Sequence, residues 1–455
     1  MDDPSGIKSA PPMGLFSLTA IALNGIIGAG IFVLPATVAN FLGPASHWAY
    51  VVAWLAATLV GLCFAELGSM FESTGGPYVY AKKAFGDFVG FEVGWMFLLA
   101  RLTAVAAISS AFTAYLGYIW PAASSGPWRI VAITLVILAL AVPNFLGVRY
   151  GAWVVNLLTV GKLLPLLLFI FVGLFFVDGR SYSFSVLPSA GSLGKASLVL
   201  FFAFGGFEFA SVPSEEVVNS RRNTPISILA AITFTAALYI LIQIVTLGTL
   251  PELATSATPL ASAARRFLGP LGGSLLTVGA ILSTTGTNSA QVLVGPRILY
   301  ALAKGGKLPR ILARLHPRYR TPHVSIVLFS LCAWGFAAYS NFVQLAALNV
   351  LARLPYYIST CLAVPVLRHT MPQSKTRRKF TVRGGLLVPV LASLACVWML
   401  TGSSLRQAIV AGMALLLGAV VYLGYSKPSM AASPPGSGLN GGSMTGGGLA
   451  RRLTN

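Results

Sequence analysis

Apolar residues in this chain come in long unbroken runs separated by short polar stretches. Twelve runs reach spanning length: residues 13–40, 46–71, 89–119, 127–146, 151–177, 195–218, 226–250, 271–302, 323–339, 343–367, 386–402 and 404–426. About 20 apolar residues in a helix cover the roughly 30 Å hydrocarbon layer of a bilayer. Barrel strands are shorter and alternate apolar with polar, and these runs do neither. The pattern therefore predicts an all-α integral membrane protein with twelve transmembrane helices. The ninth and eleventh runs are short, so their spans are expected to extend a turn into the loops.

Composition sharpens this picture. Of 455 residues 56% are hydrophobic and 9% charged, against about 25% charged in an average soluble domain. So few charges cannot clothe a soluble core of this size. The net charge of +20 is no sign of nucleic-acid binding, because the basic residues lie between apolar runs and form no single patch. They act as a topology signal instead. With the N-terminus inside, 22 of the 31 Lys and Arg residues fall on the inner side. Six fall outside (Arg129, Arg180, Lys195, Arg265, Arg266, Arg406), and three lie at membrane depth (Arg101, Lys162, Arg353). That bias predicts a multi-pass protein of the cell inner (cytoplasmic) membrane with both termini cytoplasmic. Residues 1–12 are expected to form a cytoplasmic N-terminus and not a cleaved signal peptide, because the run that follows is too long for one. Residues 13–426 form the membrane domain, and the Gly/Ser/Pro-rich segment 427–455 reads as a disordered cytoplasmic tail. The cysteines, Cys63, Cys332, Cys361 and Cys396, sit inside apolar runs without metal-site spacing and read as small hydrophobes. No metal or cofactor is expected.

Two spans carry an interruption. The first holds Asn24-Gly25-Ile26-Ile27-Gly28-Ala29-Gly30, and the sixth holds Phe204-Gly205-Gly206-Phe207-Glu208. Glycines at mid-membrane permit either close helix packing or a break that offers backbone N–H and C=O groups to a ligand. Each is the first span of a possible five-span unit. Five is odd, so a second copy runs inverted. Interrupted spans at corresponding positions of two such halves point to a transporter binding site.

At these residues the chain resembles bacterial amino acid permeases of the amino acid–polyamine–organocation (APC) superfamily. The resemblance rests on Gly25-Ile-Ile-Gly-Ala-Gly-Ile-Phe32, Ala65-Glu-Leu-Gly-Ser69 with Gly75-Gly-Pro-Tyr-Val-Tyr80, and Phe201-Phe-Ala-Phe-Gly-Gly-Phe-Glu208. Glu215-Glu216 with Arg222-Asn-Thr-Pro225, and Ala303-Lys-Gly-Gly-Lys-Leu-Pro309, also fit. It implies a LeuT-like 5+5 inverted repeat with broken helices 1 and 6. Repeat one would cover about 13–177 and repeat two about 195–367, followed by spans 11–12 at about 386–426. An amino acid would bind between the breaks. Backbone N–H groups around Gly28, Ala29 and Gly30 would hold its carboxylate at the positive end of a half-helix. Carbonyls near Ile26, Phe202 and Gly205, beside Gly206, would take its ammonium, and the Phe202 ring would close over it. Gln291 and Asn288 either line the pocket or bond helix to helix.

Charges inside a membrane are functional hypotheses by default. For Lys162 the alternatives are an ion pair with Glu208 or Glu66, or a role the resemblance implies. In that role its ammonium replaces the metal cation of sodium-coupled relatives. It would reach carbonyls around Asn24 to Ile27 and hydroxyls of Ser283, Thr284 and Thr285, and would release and rebind a proton. Arg101 either pairs with Glu66 or Glu208 or binds an anionic substrate group. Glu208 either orients the sixth-span break or carries a proton. Arg353 has no specific role at this stage.

The reading is a secondary active transporter that takes up amino acids by alternating access, with proton symport. Ala29, Gly30, Gly205 and Gly206 make a small uncharged lining suited to a small neutral amino acid. The alternatives are an amino acid or polyamine exchanger without ion coupling and, in another class, a substrate-gated channel or transport-dead sensor. No motif of a protease or ATP-driven pump occurs, so no enzyme is expected. The partners implied are substrate, proton and lipid, with no nucleic acid. The sequence gives no oligomeric state.

Overall fold

A computed structural model describes residues 13–71, 76–147, 152–182, 188–211, 217–371 and 380–425. The N-terminus 1–12, the tail 427–455, the Glu215-Glu216 pair, Gly75 and the basic residues Arg149, Lys375, Arg377, Arg378 and Lys379 lie outside them. Among the described residues the fold is all-helical, and the one β-type contact is an isolated bridge between Met13 and Val217. The helices are α1 (Leu15–Ile26), α2 (Gly30–Leu42), α3 (His47–Met70), α4 (Pro77–Phe85), α5 (Asp87–Ile119), α6 (Gly126–Phe145) and α7 (Ala152–Gly173). They continue as α8 (Ala190–Phe204), α9 (Ser220–Thr249), α10 (Pro259–Lys304), α11 (His323–Tyr339), α12 (Phe342–Thr370), α13 (Leu387–Leu400) and α14 (Leu405–Tyr425).

Seven of these, α3, α5, α6, α9, α10, α12 and α14, are long and apolar enough to cross a membrane. The α1–α2 pair, bent by 45° at its break, makes an eighth. Residues 160–176, α8, α11 and α13 are shorter apolar helices of 10–17 residues. Every apolar run of the sequence thus contains a helix. The extension predicted for the ninth and eleventh runs does not occur. The helix α11 starts and stops at the run's own limits, 323 and 339, and α13 is shorter than its run. Pro322 precedes α11 as its N-cap residue, and glycines at positive φ, Gly384 and Gly385, precede α13.

Both breaks are built by glycine. After α1 the chain is extended at Ile27 (φ −76°, ψ 91°) and re-enters helical geometry at Ala29. After α8 it is extended at Gly205, and Gly206 takes φ +123°, a conformation open mainly to glycine. A short 3-10 turn, Phe207–Ser211, follows. The two breaks cross at contact distance. A β-carbon on Gly206 would stand 2.3 Å from the Gly25 carbonyl oxygen, and one on Gly30 would stand 2.6 Å from the Ala203 β-carbon. Small residues here are what lets the two backbones meet.

Around this crossing α3 lies along α9, α5 packs on α10 and α12, and α7 packs on α10. The core is a single cluster that runs through all of these helices. The last helix, α14, buries only 6% of its most apolar window.

Candidate substrate site

The crossing leaves a small cavity. The first break contributes Gly25, Ile26, Gly28, Ala29 and Gly30, and the second contributes Phe202, Ala203 and Gly205. The other walls are Ala104 and Ile108 of α5, Thr287 and Gln291 of α10, and Arg353 of α12. The cavity holds about 20 Å³, room for a water or so and too little for an amino acid. The first N–H groups of a helix have no intrahelical acceptor, and those of α2 begin at this cavity. Among the last carbonyls of α1 and α8, those of Ile26 and Ala203 likewise have no helical donor, while that of Phe202 takes the Gly205 N–H at 3.3 Å. Tyr239 of α9 joins the two breaks, because its hydroxyl reaches both the Ile26 carbonyl (3.1 Å) and the Ala203 carbonyl (3.2 Å).

A buried charge network backs the second break. Arg101, fully buried, donates to Glu208 Oε1 at 2.7 Å and to Gln291 Oε1 at 3.2 Å. The Phe97 and Phe209 rings lie 4.4 and 4.6 Å from its guanidinium carbon. Glu208 also accepts from the Gly206 N–H at 2.7 Å and from the Tyr356 and Tyr357 hydroxyls, both at 3.2 Å. Four donors surround one carboxylate, so a charge that is costly at membrane depth is held in place. Through the Gly206 N–H the carboxylate fixes the break itself.

Glu66, the other partner weighed for Arg101, belongs elsewhere. It holds Arg368 through two bonds of 2.6 and 2.7 Å and accepts the Val382 N–H at 2.9 Å. The forked pair ties α3 to the end of α12. Neither Glu66 nor Glu208 hydrogen-bonds to Lys162. The buried Lys162 ammonium of α7 donates to the Ile27 carbonyl at 2.7 Å, to the Asn24 carbonyl at 3.1 Å and to Asn24 Oδ1.

The hydroxyls expected beside Lys162 do not reach it. Thr284 bonds back to Ala280 and Ile281 of its own helix, and buried Ser283 Oγ has no hydrogen-bond partner among the described residues. Thr285 is not among the three acceptors either. The eighth-span hydroxyl at this place is Thr287, 3.5 Å from the same Ile27 carbonyl. It sits about one turn beyond Thr284 on the same helix, and an apolar span carries no polar stripe that would single it out from its neighbours. Asn288 is not in the cavity wall. It donates to Ser109 Oγ at 2.9 Å and joins α10 to α5.

Two further residues went unassigned in the sequence. Arg353 lines the cavity, which is therefore not the uncharged lining expected from its glycines. Its place at membrane depth, two residues before Pro355, was the available signal. Tyr239 carried none, since a tyrosine in an apolar span is equally at home against lipid.

Beside the site lies a larger hollow of about 510 Å³, lined in part by Val33, Ser110, Arg129 and Phe342. The Phe342 ring meets Phe202 edge-on at 5.5 Å between centroids. Phe202 lines the cavity and Phe342 the hollow, so this ring contact lies between the two.

A bundle of apolar helices with two interrupted members meeting around a small polar cavity defines an integral membrane transporter. Comparison with known proteins gives the family: residues 13–434 match the amino acid permease model, and the chain belongs to that family, within the APC superfamily. Three of its relatives are transporters of Bacillus subtilis (strain 168). The methylthioribose transporter is 29% identical, over 92% of this chain and 94% of the relative. The branched-chain amino acid permease BcaP is 28% identical, over 93% and 95%. The serine/threonine exchanger SteT is 30% identical, over 91% and 96%.

Proposed function

We propose that this permease takes up amino acids across the cytoplasmic membrane by alternating access, in symport with protons, around the crossing of its first and sixth spans. The observation that carries this reading is the meeting of the two breaks at Gly25–Gly206 and Gly30–Ala203. There the α2 N-terminus offers donors for a carboxylate and the α1 and α8 ends offer acceptors for an ammonium. Relatives named for branched-chain amino acids and for serine and threonine support an amino acid substrate.

The reading takes α1–α2 as one span and α8 with the turn after it as another, which makes twelve spans. Spans 1–5 and 6–10 are then inverted repeats, with both termini cytoplasmic. Support comes from the packing: span one meets six, two meets seven (α3 on α9), three meets eight (α5 on α10) and four meets nine (α6 on α11). Counterparts on a pseudo-two-fold axis touch one another in this way.

Lys162 couples the proton. Protonated, its ammonium ties α7 to the end of α1 through Asn24 and Ile27. Losing the proton removes the charge and loosens the tie, so the inner half of the first span swings and releases substrate inward. An acid exterior favours the loaded form. The test is uptake by purified protein in sodium-free liposomes with an imposed pH gradient. Accumulation that rises as the outside is acidified is expected, and uptake that requires sodium overturns the coupling.

The kinship with the serine/threonine exchanger favours a second reading, obligatory exchange. Counterflow insensitive to pH, with no net accumulation, distinguishes it.

A further inference from the structure

The charges at this site do not balance. Arg101 and Arg353 are buried beside a single carboxylate, Glu208, whose oxygens already take four donors. Protonated Lys162, on the far side of the first break, raises the excess of positive charge to two. An uncompensated charge at membrane depth is costly.

Arg353 is where the excess faces the cavity. It is 3% exposed, and its Nε and Nη1 have no hydrogen-bond acceptor among the described residues. Glu208, Tyr356 and Tyr357 lie beside its charge, and the Tyr357 hydroxyl is its one hydrogen-bonding neighbour among the described residues, which leaves Nε and Nη1 unmet. The guanidinium lies against the second break: a β-carbon on Gly205 would stand 0.9 Å from Nη1. Its carbon is 6.0 Å from the Phe202 ring centroid. A planar fork of donors therefore stands in the cavity wall on the sixth-span side, across from the α2 N-terminus.

We propose that Arg353 is a specificity-determining residue of the substrate site and binds a side-chain carboxylate, so that the preferred substrate is an anionic, dicarboxylic amino acid. This rests on the amino acid transport reading above. The substrate's α-carboxylate takes the N–H groups of α2, and its second carboxylate takes the fork of Arg353. A zwitterion leaves the excess positive charge in place, whereas a substrate of net charge −1 cancels one unit of it. A cationic side chain is repelled. Arginine suits the task because it stays charged and can hold a carboxylate by two parallel bonds. The guanidinium lies in the wall of the small cavity against Gly205, so rotation of the flexible Arg353 side chain off Gly205 makes room for the ligand.

The experiment is a competition panel on the full-length protein in proteoliposomes. It pairs L-aspartate with L-asparagine and L-glutamate with L-glutamine, with L-leucine and L-serine as neutral references. Each acid has nearly the shape of its amide, so size cannot explain a difference. At least one acid is expected to compete about tenfold better than its amide, the scale of a hydrogen-bonded charge. Arg353→Gln should bring the two within about twofold, and Arg353→Lys should retain part of the preference. Amides or neutral residues that compete as well as the acids overturn the proposal while leaving amino acid transport intact. Transport of none of the panel overturns both. A preference for acids that survives in Arg353→Gln assigns it to another residue and removes Arg353 from the role. If Arg353→Gln does not fold, the wild-type acid-to-amide ratio decides alone.

Discussion

The Lys162 ammonium stands 2.7 Å from the carbonyl oxygen of Ile27, the residue at which α1 ends. That carbonyl has no donor from its own helix because the helix stops there. A cation on one span thus holds the loose end of another. Lys162→Ala should abolish pH-driven accumulation while leaving substrate binding within about tenfold of wild type. Binding by scintillation proximity and uptake under a pH gradient measure the two separately. Thr287→Val, which removes the 3.5 Å contact to the same carbonyl, should weaken coupling less. Full proton-driven accumulation by Lys162→Ala would exclude the mechanism.

The Arg101–Glu208 pair has 0% side-chain exposure on both partners. Removing one member of a buried pair typically costs about 3–5 kcal/mol, and because Arg353 also lies beside Glu208, loss of Arg101 should fall toward the lower end. Arg101→Ala should lower the melting temperature in detergent markedly. Glu208→Gln should be more damaging than Arg101→Ala, because it leaves both Arg101 and Arg353 buried without a carboxylate, whereas Arg101→Ala leaves Glu208 beside Arg353. Thermal unfolding of the three proteins gives the comparison, and an Arg101→Ala protein as stable as wild type would show that the pair holds nothing together.

Glycines at the crossing should differ in tolerance. Gly206→Ala places a β-carbon at φ +123° and 2.3 Å from the Gly25 carbonyl, and should abolish substrate binding. Gly28→Ala meets only the Thr287 side chain, at 3.1 Å, and should keep measurable affinity. Equal behaviour of the two variants in a binding assay would contradict the backbone crossing as the site.

Phe202 of the cavity wall meets Phe342 of the larger hollow edge-on. Edge-to-face pairs contribute roughly 0.5–1.5 kcal/mol. Phe202→Ala should therefore speed substrate dissociation by about 2- to 10-fold, as read by dilution chase. An unchanged dissociation rate would mean that the rings are packing and not a door.

What the sequence determined is what local composition controls. Whether a run can lie in lipid depends on its own apolar length, so each predicted run contains a helix. Where a helix breaks depends on its own glycines, and both breaks fall where Gly28–Gly30 and Gly205–Gly206 put them. What only the tertiary structure decided is which buried groups meet. A helix that is apolar on all sides has no polar stripe to fix its rotation. The sequence therefore could not say whether Arg101 faces Glu66 or Glu208, or that Thr287, and not Ser283, Thr284 or Thr285, turns toward Ile27. Nor could it say that Arg353 looks into the cavity. Those partners come from spans more than 100 residues apart, such as Arg101 with Glu208, Lys162 with Ile27 and Glu66 with Arg368. Their choice follows from how the whole bundle rotates each helix until its few polar groups are satisfied, because an unmet charge or donor in the interior costs more than any local preference supplies.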